Sequence, residues 1–188
     1  MEITIKQLKK VYGDKTVLDI PELNVKSGEL IGLVGNNGAG KTTMLRLVLD
    51  LICADSGFVM SGGQKVNEVF KWKEYTGSFI DGRFLIDFYT PEEYFSFIGN
   101  VYKISPEQLK FRLDQYSLLM HEEIMGGKKY IKNFSEGNRQ KIGIIGAMLI
   151  NPKVLILDEP FNYLDPSSQI IVAKQIKMMN EKLGTTVI

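Results

Sequence analysis

Residues 35–42 are the feature that most constrains how this chain folds. They read Gly-Asn-Asn-Gly-Ala-Gly-Lys-Thr and match G-x-x-x-x-G-K-[ST] at every fixed position. An apolar run at residues 30–34 precedes the motif and a helix-like run at residues 43–51 follows it, which is the context it requires. Because a chance match in a chain of this length is on the order of one in a hundred, we interpret the segment as a phosphate-binding loop rather than an unrelated glycine turn.

The residue types of this loop suit a nucleotide. Glycines let the backbone curl so that successive N–H groups point at phosphate oxygens, and the following helix adds its partly positive N-terminus. We expect Lys41 to reach the β- and γ-phosphates, Thr42 to coordinate Mg²⁺ and Thr43 to supply a further hydroxyl to the phosphates. The loop residues predicted to bind nucleotide are Gly35, Asn36, Asn37, Gly38, Ala39, Gly40, Lys41, Thr42 and Thr43.

Two carboxylates, Asp158 and Glu159, follow the apolar run at residues 154–157. A magnesium nucleotide needs one carboxylate near the metal, and its hydrolysis needs a group that orients or deprotonates water. We predict that Asp158 binds the metal and that Glu159, expected to point to the other side of the strand, acts on the water. The alternative is a pair of solvated acids, but α/β sheets bind their ligands at such strand ends.

Hydrophobic periodicity predicts an α/β core interrupted by helices. Residues 83–134 are interpreted as a helical insertion between core segments 1–82 and 135–188. The strand-like segments are residues 3–8, 17–25, 30–34, 57–60, 154–157 and 185–188. The helix-like segments within and after the insertion are residues 91–102, 106–119 and 136–149.

Composition excludes several classes of protein. The net charge is +1, so we expect no nucleic-acid partner. Cys53 is the single cysteine, which excludes an internal disulfide, and we expect it to be buried as a small hydrophobe. No apolar run approaches the roughly 20 residues of a membrane-spanning helix, and the N-terminus lacks a signal-peptide pattern. We therefore expect a cytoplasmic protein that reaches a membrane only by docking.

Residues 133–140, which read Asn-Phe-Ser-Glu-Gly-Asn-Arg-Gln, resemble the signature motif of the ATP-binding domains of ABC transporters. The segment lies between the phosphate-binding loop and Asp158, as it does in that family, and the resemblance runs over essentially the whole chain. It departs from the commonest version at Glu136 and Asn138. The resemblance implies an α/β fold: a P-loop NTPase core with a mainly parallel sheet, an N-terminal antiparallel β portion and an inserted helical subdomain.

The resemblance also implies roles for residues outside the loop. Ser135 and Gly137 would close on the γ-phosphate held by an opposite subunit, so that ATP is sandwiched between two domains. From its own chemistry, Ser135 is also expected to cap the following helix. Tyr12 would stack on adenine, and Asp165, in the segment 162–165, would communicate across the dimer.

Two further segments depart from the family pattern or bear on partners. Asp81 stands where the family carries a glutamine, and we predict that it approaches Mg²⁺. The family's switch histidine would lie a few residues beyond Ile188, so we expect a chain truncated before it. His121, the single histidine, is interpreted as a surface residue. The resemblance implies that the apolar segment 83–89 receives a helix from a membrane subunit, and the alternative is that its large side chains pack in the core.

These expectations lead to one preferred function and two alternatives. The preferred one is an ATP-binding and ATP-hydrolysing subunit of an ABC transporter, with Mg²⁺ as cofactor and catalytic residues Glu159 and Lys41. Its partners would be a transmembrane permease subunit and, when ATP is bound, a second copy or a paired ABC ATPase, at the inner face of the cell membrane. The alternatives are a soluble ABC ATPase of translation or DNA repair and a non-catalytic regulatory module. Substrate and transport direction stay open.

Overall fold

The computed structural model describes residues 1–188, apart from the side chains of His121 and Glu122. The surface position expected for His121 therefore lies outside the described residues. An antiparallel sheet has the strand order β2-β1-β3-β4, with β1 Ile3–Tyr12, β2 Lys15–Val25, β3 Ser56–Ser61 and β4 Gln64–Lys65. A parallel sheet has the order β5-β6-β7, with β5 Thr76–Phe79, β6 Val154–Leu157 and β7 Thr186–Val187. The helices are α1 Lys41–Val48, α2 Pro91–Val101, α3 Pro106–Asp114, α4 Ser117–Ile124, α5 Glu136–Met148 and α6 Pro166–Leu183.

The antiparallel sheet buries one face against α1. Ile3 and Ile5 of β1 are buried, as an alternating strand pattern dictates. Leu8 is also buried because the strand is irregular at Gln7, whose φ is 50°. All three belong to the same apolar cluster as Met44 and Leu45 of α1. The helix that follows the phosphate-binding loop is thereby fixed to the sheet by its apolar side. The predicted α/β fold with an N-terminal antiparallel portion is confirmed.

Helix α5 lies unusually close to the parallel sheet. All four residues of β6 are buried, as the apolar run predicts. The close approach depends on two glycines: a Cβ at Gly77 of β5 would lie 2.0 Å from the carbonyl oxygen of Ala147, and one at Gly143 would lie 2.1 Å from the Phe79 ring. Real Cβ atoms do not approach that closely, so these positions admit no larger side chain without displacement of α5.

The helices of the middle segment pack on α5. Phe95 and Leu119 of the predicted insertion belong to one buried cluster with Ile142 and Leu155 of the predicted core. Because the two parts share this cluster, the division of the chain at residues 82 and 135 stays a prediction. The single helix predicted for residues 106–119 is wrong, because α3 ends at Asp114 and α4 begins at Ser117. The N–H groups of Gln115 and Tyr116 bond three residues back rather than four, which ends the first helix.

The predicted strand at residues 30–34 is also wrong. Leu30 forms an isolated bridge to Val187, and Val34 is 99% exposed. The neighbouring strand β7 is two residues long, so the ladder between them has two hydrogen bonds, Ile31 N–H to Val187 and Val187 N–H to Glu29. So short a ladder does not support a five-residue strand.

Three smaller points complete the fold. Cys53 is exposed, contrary to the prediction, because it lies in the bend after α1 rather than in an element. Strand β5 and helix α6 were absent from the sequence analysis, although Asp165-Pro166 is a standard helix start and Gly184 closes α6 in the left-handed conformation. In the part of the chain that the structure describes, no helix combines the length and apolar character needed to cross a membrane.

Replacing Gly77 by Ala should destabilise the fold by roughly 1–3 kcal/mol, because the added methyl group forces α5 away from β5. Urea denaturation monitored by circular dichroism would measure the change. Gly32→Ala is the matched control, since a Cβ there meets nothing within 4 Å, and its effect should stay below about 1 kcal/mol. Equal midpoints for the two variants would contradict the close approach of α5.

Candidate functional site

The site is built around a contact between the two sequence motifs. The Thr42 hydroxyl, in the first turn of α1, donates a hydrogen bond to the Asp158 carboxylate at 2.5 Å across 116 positions of sequence. Asp158 follows β6 directly, and its N–H donates to the Phe79 carbonyl oxygen of β5 at 3.0 Å. The two groups predicted to share a metal therefore lie side by side.

The phosphate-binding loop has the donors that an anion requires. Gly40, the N-cap of α1, has a left-handed backbone, and no side chain caps the first turn of the helix, so the N–H groups there have no capping acceptor. A cleft of about 310 Å³ is lined by Val17, residues 37–43 and Glu159. A Cβ at Gly40 would lie 2.7 Å from the Val17 carbonyl oxygen, which explains why a glycine stands where the loop meets β2.

Lys41 is held inside the curl of the loop. Its ammonium group donates to the carbonyl oxygens of Gly35 at 2.6 Å and Asn36 at 3.2 Å. The Ala39 N–H donates to the same Asn36 carbonyl oxygen at 3.1 Å and so closes the turn. Lys41 is the first residue of α1, so its charge adds to the partial positive charge of the helix N-terminus. Both favour a negatively charged ligand at this place.

Glu159 does not continue the alternation of β6. The strand ends at Leu157, and Glu159 has a positive φ of 46°, a left-handed conformation that is unfavourable for a residue with a side chain. Strand alternation therefore gives no basis for the expectation that Glu159 points opposite to Asp158, which stays a prediction. Both residues line one further cleft.

That second cleft, of about 340 Å³, combines acids and two arginines. Asp81 lines it with Asp158 and Glu159, so the structure brings the three predicted carboxylates to one place. The Asp81 carboxylate accepts from the Arg83 side chain at 2.5 and 2.8 Å and from its N–H at 2.9 Å. The hydrogen bonds from the Arg83 side chain lower the pKa of Asp81, against a smaller opposing effect of burial.

Arg139 of α5 ties this cleft to the segments on either side of the middle helices. Its guanidinium donates to the Gly82 carbonyl oxygen at 3.0 Å, the Ile131 carbonyl oxygen at 3.3 Å and the Asp87 carboxylate at 2.8 Å. The Arg139 side chain thus contacts residues that precede and residues that follow the helices α2–α4. These contacts fix α5 and the three middle helices relative to the cleft. The sequence analysis gave Arg139 no role.

The signature residues have clear local tasks. Ser135 caps α5 by accepting from the Asn138 N–H at 3.3 Å, as predicted. A Cβ at Gly137 would lie 2.7 Å from the Tyr163 carbonyl oxygen, so Gly137 lets α5 approach the segment after Glu159. Neither Ser135 nor Gly137 lines the cleft of the phosphate-binding loop, and their role toward ATP stays a prediction.

Asp165 is engaged within its own chain. It caps α6, accepting from the Ser168 N–H and from the hydroxyl groups of Ser167 and Ser168, and it lies 3.6 Å from the buried Lys141 ammonium. The hydrogen bonds from Ser167 and Ser168 lower its pKa well below the usual range. The resemblance implied that Asp165 communicates across a dimer, whereas its oxygens are already bonded at the start of α6.

Tyr12 lies at the hairpin end of β1, where it is half-exposed and its ring lies 5.2 Å from the Lys10 ammonium. It does not line the cleft of the phosphate-binding loop. Stacking on adenine therefore stays a prediction for this residue.

A magnesium nucleotide fits the residues present. Mg²⁺ is usually held by one or two carboxylates together with substrate phosphates rather than by a cage of protein ligands. Among the residues that the structure describes, no three His, Cys, Asp or Glu side chains are arranged as such a cage. Thr42 and Asp158 supply a hydroxyl and a carboxylate in contact, and the uncapped start of α1 supplies donors for phosphate. Fold and site together define a P-loop nucleotide-binding protein.

Comparison with known proteins identifies the family. Residues 18–162 match the family model described as ABC transporter. The chain is 36% identical over 188 residues to an uncharacterized ABC transporter ATP-binding protein, YdbJ of Bacillus subtilis, covering 98% of this chain and 59% of that protein. It is 31% identical over 186 residues to the spermidine/putrescine import ATP-binding protein PotA of Haemophilus influenzae, covering 99% and 50%.

Solved structures agree with this result. The dimeric structure of MJ0796, a bacterial ABC transporter cassette, has a TM-score of 0.87 and 26% identity, covering 98% of this chain and 85% of that one. The chain belongs to the ABC transporter family, as the signature segment predicted. It spans between 50% and 59% of the length of the two curated relatives above.

The local role of Asp165 predicts a specific pH dependence. Because its folded pKa lies below the value of 3.8 for a free carboxyl group, it stabilises the fold above that pH, and the contribution is lost as pH falls through the folded pKa. Asp165→Asn should therefore be less stable than the wild type at pH 7, with a difference that shrinks below about pH 4. Denaturant midpoints at pH 7, 5 and 3.5 measure it.

Asp14→Asn provides the control, because Asp14 is exposed in the turn between β1 and β2. Its midpoint should follow that of the wild type at each pH. A wild-type midpoint for Asp165→Asn at pH 7 would mean that the negative charge of Asp165 contributes nothing to the folded chain, because asparagine keeps the oxygen that caps α6.

Proposed function

We propose that this chain binds Mg-ATP and hydrolyses it to ADP and phosphate, as the ATP-binding subunit of an ABC transporter. The observation that carries the proposal is the contact between Thr42 and Asp158, which joins the phosphate-binding loop to the acidic strand end. Lys41, Thr42 and Glu159 all line the cleft of the phosphate-binding loop. Binding of Mg-ATP needs only Thr42, Asp158 and Lys41, whereas its hydrolysis additionally needs a group that acts on water.

Each residue has a distinct task in the proposed reaction. Lys41 and the N–H groups at the start of α1 stabilise negative charge on the phosphates. Thr42 and Asp158 would hold Mg²⁺, which neutralises charge that develops on the phosphate oxygens. The Glu159 carboxylate accepts a proton from the attacking water as the bond from the water oxygen to the terminal phosphorus forms and the bond from that phosphorus to the bridging oxygen of ADP breaks. We also propose that Asp81 approaches the metal, which requires that its hydrogen bonds to Arg83 be exchanged.

We propose two partners. A second copy, or a paired ABC ATPase, would add Ser135 and Gly137 to the ATP held by this chain's loop, since neither residue lines that cleft within one chain. A membrane permease would dock on the segment 83–89, where Leu85 is buried but Phe84 and Phe88 are 59% and 68% exposed. The protein would then work at the inner face of the membrane. The relatives' names support this role, since they are called ATP-binding proteins of transporters.

Lys41→Ala should weaken Mg-ATP binding by about 3–5 kcal/mol, on the scale of removing one member of a desolvated charge pair. Titration calorimetry with Mg-ATP measures the loss directly. Lys71→Ala removes an exposed lysine outside the clefts and should bind like the wild type. If both variants keep wild-type affinity, the loop is not the nucleotide site.

Glu159→Gln should still bind Mg-ATP but hydrolyse it roughly 10²–10⁴-fold more slowly, because the amide cannot accept the proton. It should also accumulate as an ATP-bound dimer of twice the mass in light scattering, since hydrolysis no longer removes the bridging ligand. Glu107→Gln, at an exposed position of α3, is the control. Binding without measurable phosphate release by the wild type, tested with its permease present, would favour the regulatory module instead.

A further inference from the structure

Glu159 needs external support for its conformation. A positive φ of 46° at a residue with a side chain persists only where neighbouring groups hold it. Two amide groups contact its main-chain carbonyl oxygen: the Asn162 N–H at 3.1 Å and the Gln140 Nε2 group of α5 at 3.1 Å. The backbone of the proposed base is therefore fixed from the following turn and from α5.

The carboxylate of Glu159 is held separately. The Asn162 Nδ2 group donates to Oε2 at 2.5 Å. In the part of the chain that the structure describes, no donor contacts the other oxygen, Oε1, although the side chain lines both clefts of the site. A glutamate side chain has several freely rotating bonds, so one fixed oxygen removes most of that freedom and leaves the second oxygen to accept a proton.

We propose that Asn162 is a positioning residue for catalysis: its side-chain amide holds Oε2 of Glu159 and so directs Oε1 to the reacting water. The role rests on the proposed ATPase function, because it acts through Glu159 and does not touch the nucleotide loop. Asn162 is a good candidate because its two contacts with Glu159 are separable. The main-chain bond survives replacement by any residue except proline, whereas the Nδ2 donor is lost on replacement by alanine or aspartate.

The alternative is that Asn162 only shapes the turn. The Asn162 side chain is exposed, so truncating it should change the free energy of unfolding by no more than about 0.5 kcal/mol. The two roles therefore predict different results. A turn-forming role would appear in the denaturant midpoint. A positioning role would appear in the turnover number, because small misplacement of a catalytic group costs up to about 10²-fold.

Asn162→Ala should lower kcat roughly 10- to 100-fold while the affinity for Mg-ATP, measured by calorimetry, changes less than about twofold. The slowed variant should also persist longer as an ATP-bound dimer in light scattering, which is a readout independent of phosphate release. Asn162→Asp keeps the shape but replaces the donor with a second negative charge beside Glu159, so its turnover should fall at least as far. Asn67→Ala, an exposed asparagine outside the site, should match the wild type.

A double-mutant cycle with Glu159→Gln decides whether Asn162 acts through Glu159. In the Glu159→Gln background, Asn162→Ala should change the single-turnover rate less than about twofold. The same loss in both backgrounds would overturn the positioning role, as would a wild-type kcat for Asn162→Ala or full activity of Asn162→Asp. If the wild type with its permease releases no phosphate at all, the proposed ATPase function fails and the inference falls with it.

Discussion

The hydrogen bond from Thr42 to Asp158 is the contact on which the rest of the site depends. It joins the start of α1, which is fixed to the antiparallel sheet, to the end of β6 in the parallel sheet. The two residues are 116 positions apart, so only the folded core can bring them together. A binding site whose groups are held by the core loses little conformational entropy when it takes up its ligand.

Helix α5 connects this site to the remainder of the chain. Gly77 and Gly143 let it lie against β5, Arg139 holds the segments around the middle helices, and Gln140 reaches the carbonyl oxygen of Glu159. A displacement of α5 would therefore move both Glu159, the proposed base, and the exposed apolar segment 83–89. This arrangement gives the proposed docking of a membrane partner a physical route to the catalytic groups.

Arg83 offsets the charge of Asp81 in the acidic cleft. Asp81 would add a third carboxylate to Asp158 and Glu159, but Arg83 binds it with two side-chain hydrogen bonds. An aspartate paired with an arginine is close to neutral overall, as a glutamine is. The aspartate that we predict in place of the family's glutamine therefore adds little net charge to the cleft while Arg83 binds it, and it adds a full negative charge once it exchanges Arg83 for the metal.

The sequence by itself determined the elements whose patterns are local. The loop at residues 35–42, the buried strand β6, the cap at Ser135 and the family follow from residue types at fixed spacing. Tertiary structure decided the features that depend on contacts with other parts of the chain, such as strand pairing and side-chain hydrogen bonds. Residues 30–34 have the composition of a strand, but a two-residue partner gives them only two ladder bonds. Asn162 looks like an ordinary polar turn residue until the Glu159 carboxylate is placed beside it, because a hydrogen bond is a property of two groups and their separation.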